Sequence, residues 1–248
     1  MTELVKNPQS ATVPALVVSI EPLTAGVSKV LLAPQEPVGY QAGQYLQIFL
    51  SDSDKRPFSI ASAPGADLIE LQIGGNVTDA YASQALAHLR EHHDAGKTVL
   101  VQVGLGDAFI RQDSARPVIL LAGGTGFSYV YSIAQQLRAT EPQRQVQLFW
   151  GLRDESGLYY QDTLTSWQSD KFHVVTVLQE PKQAWQGLTG LVHEAVLAHV
   201  ATITGASLAD YDIYIAGPFP MVGAVRDAFL AAGAVRAQMY ADAFAWLK

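Results

Sequence analysis

Four consecutive residues in the first half of the chain, Arg56, Pro57, Phe58 and Ser59, could hold a flat ligand that carries phosphate. The arginine can make a forked contact to phosphate oxygens, the phenylalanine offers an aromatic surface, and the serine hydroxyl can donate or accept. In a strand, Arg56 and Phe58 would share one face and Ser59 would lie on the other. Because Pro57 has no N–H, we expect an edge strand or a bulge. An exposed arginine beside a core phenylalanine would also explain these residues.

A glycine run in the second half, Gly123-Gly124-Thr125-Gly126, directly follows the apolar run Val118–Ala122. Glycine lets a ligand approach the backbone closely. A helix starting near Phe127 would present free N–H groups and the positive end of its dipole to a phosphate. The carboxyl end of such a strand is also where α/β sheets bind ligands. The run is not a G-x-G-x-x-G fingerprint, and a tight strand-to-helix turn remains an alternative.

A second glycine turn, Ala216-Gly217-Pro218-Phe219-Pro220-Met221, follows the last apolar strand of the chain. Gly217, Pro218 and Met221 would then form another wall at the same sheet edge, so that the two turns enclose one crevice. Taken alone, this turn could be an ordinary connection between a strand and a helix.

The elements that must position these residues differ between the two halves. The first half has short β-rich runs separated by turn residues, which is typical of an antiparallel barrel or sandwich. One interruption has helical spacing, and Asp79 could cap its start. The expected strands are Val13–Pro22, Val27–Ala33, Tyr45–Leu50, Phe58–Ala61, Leu68–Ile73 and Thr98–Val103, and the expected helix is Asp79–His92.

From about residue 115, strands alternate with helices, which predicts an α/β doubly wound domain with a parallel sheet. We place the boundary in the polar segment Asp113–Arg116. The prediction is an antiparallel β-barrel domain over residues 1–114 and a nucleotide-binding α/β domain over 115–248. The expected strands are Val118–Ala122, Val146–Trp150, Phe172–Leu178 and Ile213–Ala216, and the expected helices are Phe127–Thr140, Tyr159–Ser169, Leu191–Ala201 and Met221–Ala232.

Composition excludes several classes of function. The 248 residues include no cysteine, which excludes disulfides, zinc–thiolate sites, thiol nucleophiles and cysteine-ligated iron–sulfur clusters. A net charge of −7 without a basic tract argues against nucleic-acid binding. The six histidines lack metal-ligand spacing, so we predict no metal site. With no signal core and no apolar run of about 18–20 residues, we expect a cytoplasmic protein that does not enter the membrane.

Three motifs, in this order and spacing, resemble those of the ferredoxin–NADP reductase superfamily. Arg56-Pro57-Phe58-Ser59 resembles its flavin-binding R-x-[YF]-[ST] motif, Leu121–Tyr129 resembles its nicotinamide motif, and Ile215–Met221 resembles its third signature. With the ending Ala241-Asp242-Ala243-Phe244-Ala245, the chain is most similar to the bacterial NAD(P)H:flavin oxidoreductases, which include the flavin reductases associated with luciferases. The resemblance covers all but roughly the first 12 residues.

The resemblance implies a role for each matched residue. In the flavin-binding set of Arg56, Pro57, Phe58 and Ser59, the arginine would contact the ribityl or phosphate region and the phenylalanine would line the isoalloxazine. Ser59 would hydrogen-bond near flavin N5 and would be the catalytic residue, and Phe244 would be the C-terminal aromatic near the ring. Gly123, Gly124, Thr125 and Gly126 would approach the nicotinamide and its pyrophosphate, with Gly217, Pro218 and Met221 opposite.

Two departures from the family pattern bear on the mechanism. Ala216 stands where many members have cysteine, so hydride transfer here cannot depend on a thiol. The stretch Gly74–Ser83 lacks the Gly-x-x-Ser/Thr motif of members that keep FAD tightly bound, which favours FMN, FAD or riboflavin as an exchangeable substrate. Arg153 could bind the 2′-phosphate of NADPH, whereas the adjacent Asp154 and Glu155 could favour NADH, and the sequence leaves this open.

The implied activity is hydride transfer from NADH or NADPH to a flavin. The reduced flavin would supply a flavin-dependent monooxygenase, a luciferase or ferric iron. Two other functions stay open. One is a flavoprotein that holds FAD and passes electrons to a separate protein partner, and the other is a nonenzymatic dinucleotide-binding module.

Overall fold

The computed structural model describes residues 10–74, 80–182 and 185–247, which form two six-stranded sheets. The first sheet is antiparallel and contains β1 (Ala11–Pro22), β2 (Val27–Pro34), β3 (Tyr45–Phe49), β4 (Lys55–Ser59), β5 (Ile69–Gly74) and β6 (Thr98–Leu105), in the order β4-β3-β6-β1-β2-β5. The bridge between Ile60 and Leu71 joins the two edges of this sheet. The sheet is therefore the barrel that the turn-rich pattern predicts.

Alternation along the strands fills the barrel. Leu46 and Ile48 of β3 point inward and are fully buried, whereas their neighbours are half-exposed. Helix α1 (Ala80–Asp94) closes one side with Ala82, Ala85 and Leu89. The predicted cap, Asp79, lies outside the described residues.

The second sheet is parallel and contains β7 (Val118–Gly123), β8 (Val146–Leu152), β9 (Phe172–Leu178), β10 (Leu188–Thr189), β11 (Asp212–Ala216) and β12 (Met239–Tyr240), in the order β10-β9-β8-β7-β11-β12. Its helices are α2 (Phe127–Thr140), α3 (Gln161–Trp167), α4 (Val192–Thr202) and α5 (Phe219–Ala231). Every residue of β7 is buried. Leu120 packs into the core that contains α2, and Leu121 packs into the core on the opposite face. This two-sided burial explains the continuous apolar run.

The two-domain fold is confirmed, with small corrections to element bounds. Strand β4 begins at Lys55 and not at Phe58, because Pro57 pairs with β3 through an edge position that needs no N–H from it. Helix α5 begins two residues early, since proline is tolerated in a first turn. Helix α3 ends at Trp167, where Gln168 turns to bond the backbone of Val174. The boundary at 114/115 stays a prediction and falls in the connection 106–117.

A buried ion pair fastens the amino edge of the parallel sheet. Asp212, the first residue of β11, is fully buried, and Arg144 Nη2 donates to its Oδ2 at 3.0 Å. Arg144 also donates to Glu141 at 3.1 Å and to the carbonyl of Arg116 at 2.7 Å. No helix among the described residues has the length and apolar character needed to span a membrane.

We expect Arg144→Met to lower the free energy of unfolding by about 3 kcal/mol, because the buried Asp212 carboxylate loses its hydrogen-bonded cation and keeps the more distant guanidinium of Arg116, at 3.7 Å. The control is Lys29→Met, which breaks a surface pair with Glu21 and should cost much less, because a pair in contact with water contributes little to stability. Urea denaturation of both variants measures the difference. Equal midpoints for the two variants would contradict this account of Asp212.

Candidate active site

A cleft of about 1160 Å³ lies between the barrel and the parallel sheet. Its described lining comes from β3 and β4, the end of β5, the start of α1, the chain after β6, the two glycine turns and the C-terminal segment. Its lining residues include Tyr45, Gln47, Pro57, Phe58, Ser59, Gln72, Asp107, Gly123, Gly124, Thr125, Gly126, Ser128, Gly217, Pro218, Phe219, Arg236, Asp242, Phe244 and Trp246. The three sequence motifs thus meet at one cleft.

Register explains which β4 residues face the cleft. Ser59 pairs with Tyr45 and Pro57 pairs with Gln47, and all four line the cleft. Phe58 reaches the cleft from the inner face, with its ring 5.8 Å from that of Tyr81. The Ser59 hydroxyl is therefore on the side of the sheet where a ligand would lie.

The structure places Arg56 on the inner face, and it does not belong to the described residues that line the cleft. Its Nε and Nη2 donate to both carboxylate oxygens of Asp54 at 2.9 and 2.7 Å, its Nη1 donates to the carbonyl of Tyr81 at 2.6 Å, and its Nη2 also donates to Gln84 at 2.6 Å. In this arrangement Arg56 joins β4 to α1. A contact between Arg56 and the flavin remains a prediction.

The first glycine turn is held from below by a tryptophan. Gly124 has a φ of +55°, which glycine adopts without strain. Trp150 Nε1, at the end of β8, donates to the carbonyl of Gly124 at 3.0 Å. Helix α2 starts at Phe127 with no side-chain cap. The N–H of Phe127 donates to the carbonyls of Gly124 and Thr125, so the N–H groups offered to a ligand at the start of this helix belong to Gly124–Gly126, which line the cleft.

The two glycine turns touch each other. A Cβ on Gly126 would lie 2.5 Å from the carbonyl carbon and oxygen of Ala216. Met221 does not line the cleft and instead packs beneath both turns, because a Cβ on Gly123 would lie 2.3 Å from its sulfur and one on Gly217 would lie 2.5 Å from its methyl. A contact between Met221 and the cofactor stays a prediction, and in the structure Met221 contacts the two turns.

Arg153 follows β8 at the carboxyl edge but is not part of the described cleft lining. Its side chain is 78% exposed and forms an ion pair with Glu180 at 3.1 Å. The choice between NADH and NADPH stays open at this position.

The C-terminal segment supplies an aromatic and cationic rim. Phe244 lies under the guanidinium of Arg236, whose carbon is 4.1 Å from the ring centroid. Trp246 and Phe219 line the cleft and are 79% and 53% exposed. The predicted aromatic Phe244 is thus at the cleft, and Arg236 is a lining residue that the sequence reasoning missed.

Asp242 is a second missed residue, and its environment favours its neutral form. Burial raises the pKa of Asp242 to about 6, with nearby Asp107 adding to the effect and a bond from the backbone of Ala108 opposing it. A carboxyl of this kind can hold a proton within the cleft near neutral pH. Its position inside the motif Ala241–Ala245 was the available signal. No group of three or more acidic or histidine side chains among the described residues could hold a metal ion.

Comparisons with known proteins agree with this arrangement. The family model for the oxidoreductase NAD-binding domain matches residues 120–227. An NAD(P)H-flavin reductase of Aliivibrio fischeri is 43% identical over 233 residues, covering 92% of this chain and 97% of the relative. One of Vibrio harveyi is 39% identical over 242 residues, covering 95% and 100%. The solved ferredoxin reductase in carbazole 1,9a-dioxygenase superposes with a TM-score of 0.81 at 28% identity, covering 95% of this chain and 70% of that one.

The fold and the cleft define an oxidoreductase of the ferredoxin reductase type, which uses a nicotinamide dinucleotide and a flavin. More particularly, the chain belongs to the NAD(P)H-flavin reductase family.

We expect Gly126→Ala to lower kcat/KM for NADH about 10- to 100-fold, because the new methyl group must push apart the two turns that line the cleft. The matched control is Gly223→Ala on α5, where a Cβ would meet only Leu247, at 3.9 Å. Steady-state NADH oxidation measures both, and wild-type kinetics in Gly126→Ala would contradict the account.

We expect Asp242→Asn to flatten the pH dependence of stability. Because the folded pKa of about 6 lies above the ordinary value of 3.8, the native state holds a proton that the unfolded chain releases. That stabilisation is present below about pH 4 and is lost as the pH rises through about 6. As the pH rises from about 4 to 8, the thermal midpoint of Asp242→Asn should therefore increase relative to that of the wild type. Asp67→Asn, on an exposed loop, is the control and should show no such trend.

Proposed function

We propose that this protein reduces a free, exchangeable flavin with NADH or NADPH and releases the reduced flavin to an acceptor. The observation that carries the proposal is the convergence of the Ser59 face of β4 and the Gly124 turn on one cleft of about 1160 Å³. This volume exceeds that of most single-ligand pockets and suits two stacked heterocycles.

When both are bound, the nicotinamide and the flavin would supply the chemistry, which is hydride transfer from nicotinamide C4 to flavin N5. The chain's own residues hold the rings in contact and exclude water, which lowers the barrier by several kcal/mol. Ser59 donates a hydrogen bond at the edge of the flavin, and Phe58, Pro57 and Phe244 provide apolar surface. The backbone of the glycine turns binds the phosphates of the dinucleotide.

The scarcity of positively charged side chains at the cleft supports an exchangeable flavin. Of the described residues that line it, Arg236 is the one lysine or arginine. Arg56, the predicted phosphate ligand, already uses its donors on Asp54, Tyr81 and Gln84. A flavin phosphate would therefore gain little from side-chain cations, and riboflavin, FMN and FAD should bind with similar affinity.

The second candidate is a flavoprotein that retains FAD and passes electrons to a separate protein. The likeness to the ferredoxin reductase in carbazole 1,9a-dioxygenase favours it. For the first candidate, the acceptor of the reduced flavin is part of the proposal and would be a monooxygenase, a luciferase or ferric iron.

The test is to purify the protein, record its visible spectrum and measure anaerobic oxidation of NADH and NADPH with FMN, FAD and riboflavin. We expect a colourless protein that oxidises the dinucleotide only when flavin is added. A stoichiometric yellow chromophore that survives dialysis would favour the second candidate.

We expect Ser59→Ala to lower the rate of flavin reduction about tenfold while changing dinucleotide affinity much less, since one hydrogen bond to the reacting ring is lost. Ser59→Thr keeps the hydroxyl and should retain more of the rate. Stopped-flow absorbance under anaerobic conditions separates rate from affinity. An unchanged reduction rate in Ser59→Ala would rule out its catalytic role.

A further inference from the structure

A buried glutamine crosses from the barrel to the nucleotide domain at the base of the cleft. Gln72 lies on β5, is 4% exposed and is one of the lining residues. Its Oε1 accepts a hydrogen bond from Ser128 Oγ at 3.2 Å and from Tyr159 OH at 2.9 Å. Both hydroxyl groups belong to the nucleotide domain, so the glutamine side chain bridges the two halves of the site.

The orientation of the amide is fixed by a carboxylate. Gln72 Nε2 donates to Glu70 Oε1 at 2.9 Å, and the same oxygen accepts from Tyr160 OH at 3.0 Å. A carboxylate oxygen can only accept, so the amide nitrogen must face Glu70 and its oxygen must face the two hydroxyl groups. Three hydroxyl groups of the nucleotide domain are thereby held on β5.

Ser128 connects this cluster to the glycine turn. The single proton of its hydroxyl is shared between Gln72 Oε1 and the carbonyl of Thr125, each 3.2 Å away, and Thr125 belongs to the run that faces the nicotinamide in the proposed function. The path from β5 to that turn therefore consists of one amide and one hydroxyl, both buried. A polar group buried here cannot exchange partners with water at low cost, so its position is held tightly.

We propose that Gln72 is a positioning residue that sets the distance between the nicotinamide and the flavin. It acts through Ser128 and Tyr159 by fixing the glycine turn relative to β5. The inference rests on the proposed function. Gln72 would affect the rate of hydride transfer and not the affinity for the flavin or the dinucleotide.

The central variant is Gln72→Met, which keeps the length of the side chain and removes its hydrogen bonds. We expect the anaerobic rate of flavin reduction to fall about 10- to 100-fold, as small misplacements of reacting atoms do. Flavin affinity, measured by fluorescence quenching without dinucleotide, should change less than about threefold. The primary deuterium kinetic isotope effect on flavin reduction should become more temperature-dependent. Any long-wavelength absorption from the stacked complex of nicotinamide and flavin should be weaker in the variant than in the wild type.

A comparison of variants tests whether Gln72 acts through the two hydroxyl groups. The double variant Ser128→Ala with Tyr159→Phe should match Gln72→Met, and the triple variant should lose nothing more, because groups in one network are not additive. The matched control is Tyr214→Phe. It keeps the buried ring and removes another hydrogen bond, 2.9 Å from the backbone N–H of Arg111, on β11 and outside the described cleft lining. It should lower stability and leave the reduction rate unchanged.

The outcomes separate the possibilities. Wild-type reduction by Gln72→Met with a lowered thermal midpoint would make the residue structural only and overturn the proposal. Weaker flavin binding in proportion to the lost rate would make it a binding residue and overturn it as well. A wild-type protein that reduces no flavin would overturn the proposed function and this inference together.

Discussion

The contact between α2 and the barrel is the constraint on which the rest of the site depends. This helix begins at the glycine turn, so whatever fixes the helix also fixes the turn. Tyr129 donates to the carbonyl of Ala108, Ser132 donates to Ser62 at 2.7 Å, and Gln135 donates to Ala61 at 2.8 Å. Each bond gives a partner to a buried carbonyl on the barrel side of the seam. The two domains therefore have one well-defined relative position along this seam.

The same seam explains why the turns need glycine. Strands β7 and β11 are adjacent and parallel, so their carboxyl ends emerge side by side. With α2 held against the barrel, the space between Gly126 and Ala216 has no room for a side chain. Met221 fills the remaining volume beneath them. Small size is therefore the reason for glycine at position 126, whereas at Gly124, where a Cβ would meet nothing within 4 Å, the reason is the φ of +55°.

The sequence predicted the site as far as local patterns reach. The run Val118–Ala122, the glycine turn after it and the β4 motif were recognisable because each carries its own signal. Gln72 and Asp242 were not recognised as site residues, because their importance comes from register and from contacts across distant segments. For Arg56, the sequence predicted the face of the strand but not the hydrogen-bond partners of the side chain. Its alternation with Ser59 was predicted, but the acceptors that take up its guanidinium come from α1 and from Asp54.

The charges that line the cleft limit how it can bind phosphate. The chain carries a net charge of −7, and Asp107 and Asp242 both line the cleft, yet its ligands carry phosphate. With few cations available, attraction for phosphate has to come from backbone N–H groups at the starts of α2 and α5, whose strength depends on geometry. Such donors bind an anion without holding it as strongly as an arginine cluster would. Burial raises the pKa of Asp242 to about 6, so its repelling charge is lost as the pH falls through about 6. The scarcity of cations at the cleft therefore supports the proposed exchange of the flavin.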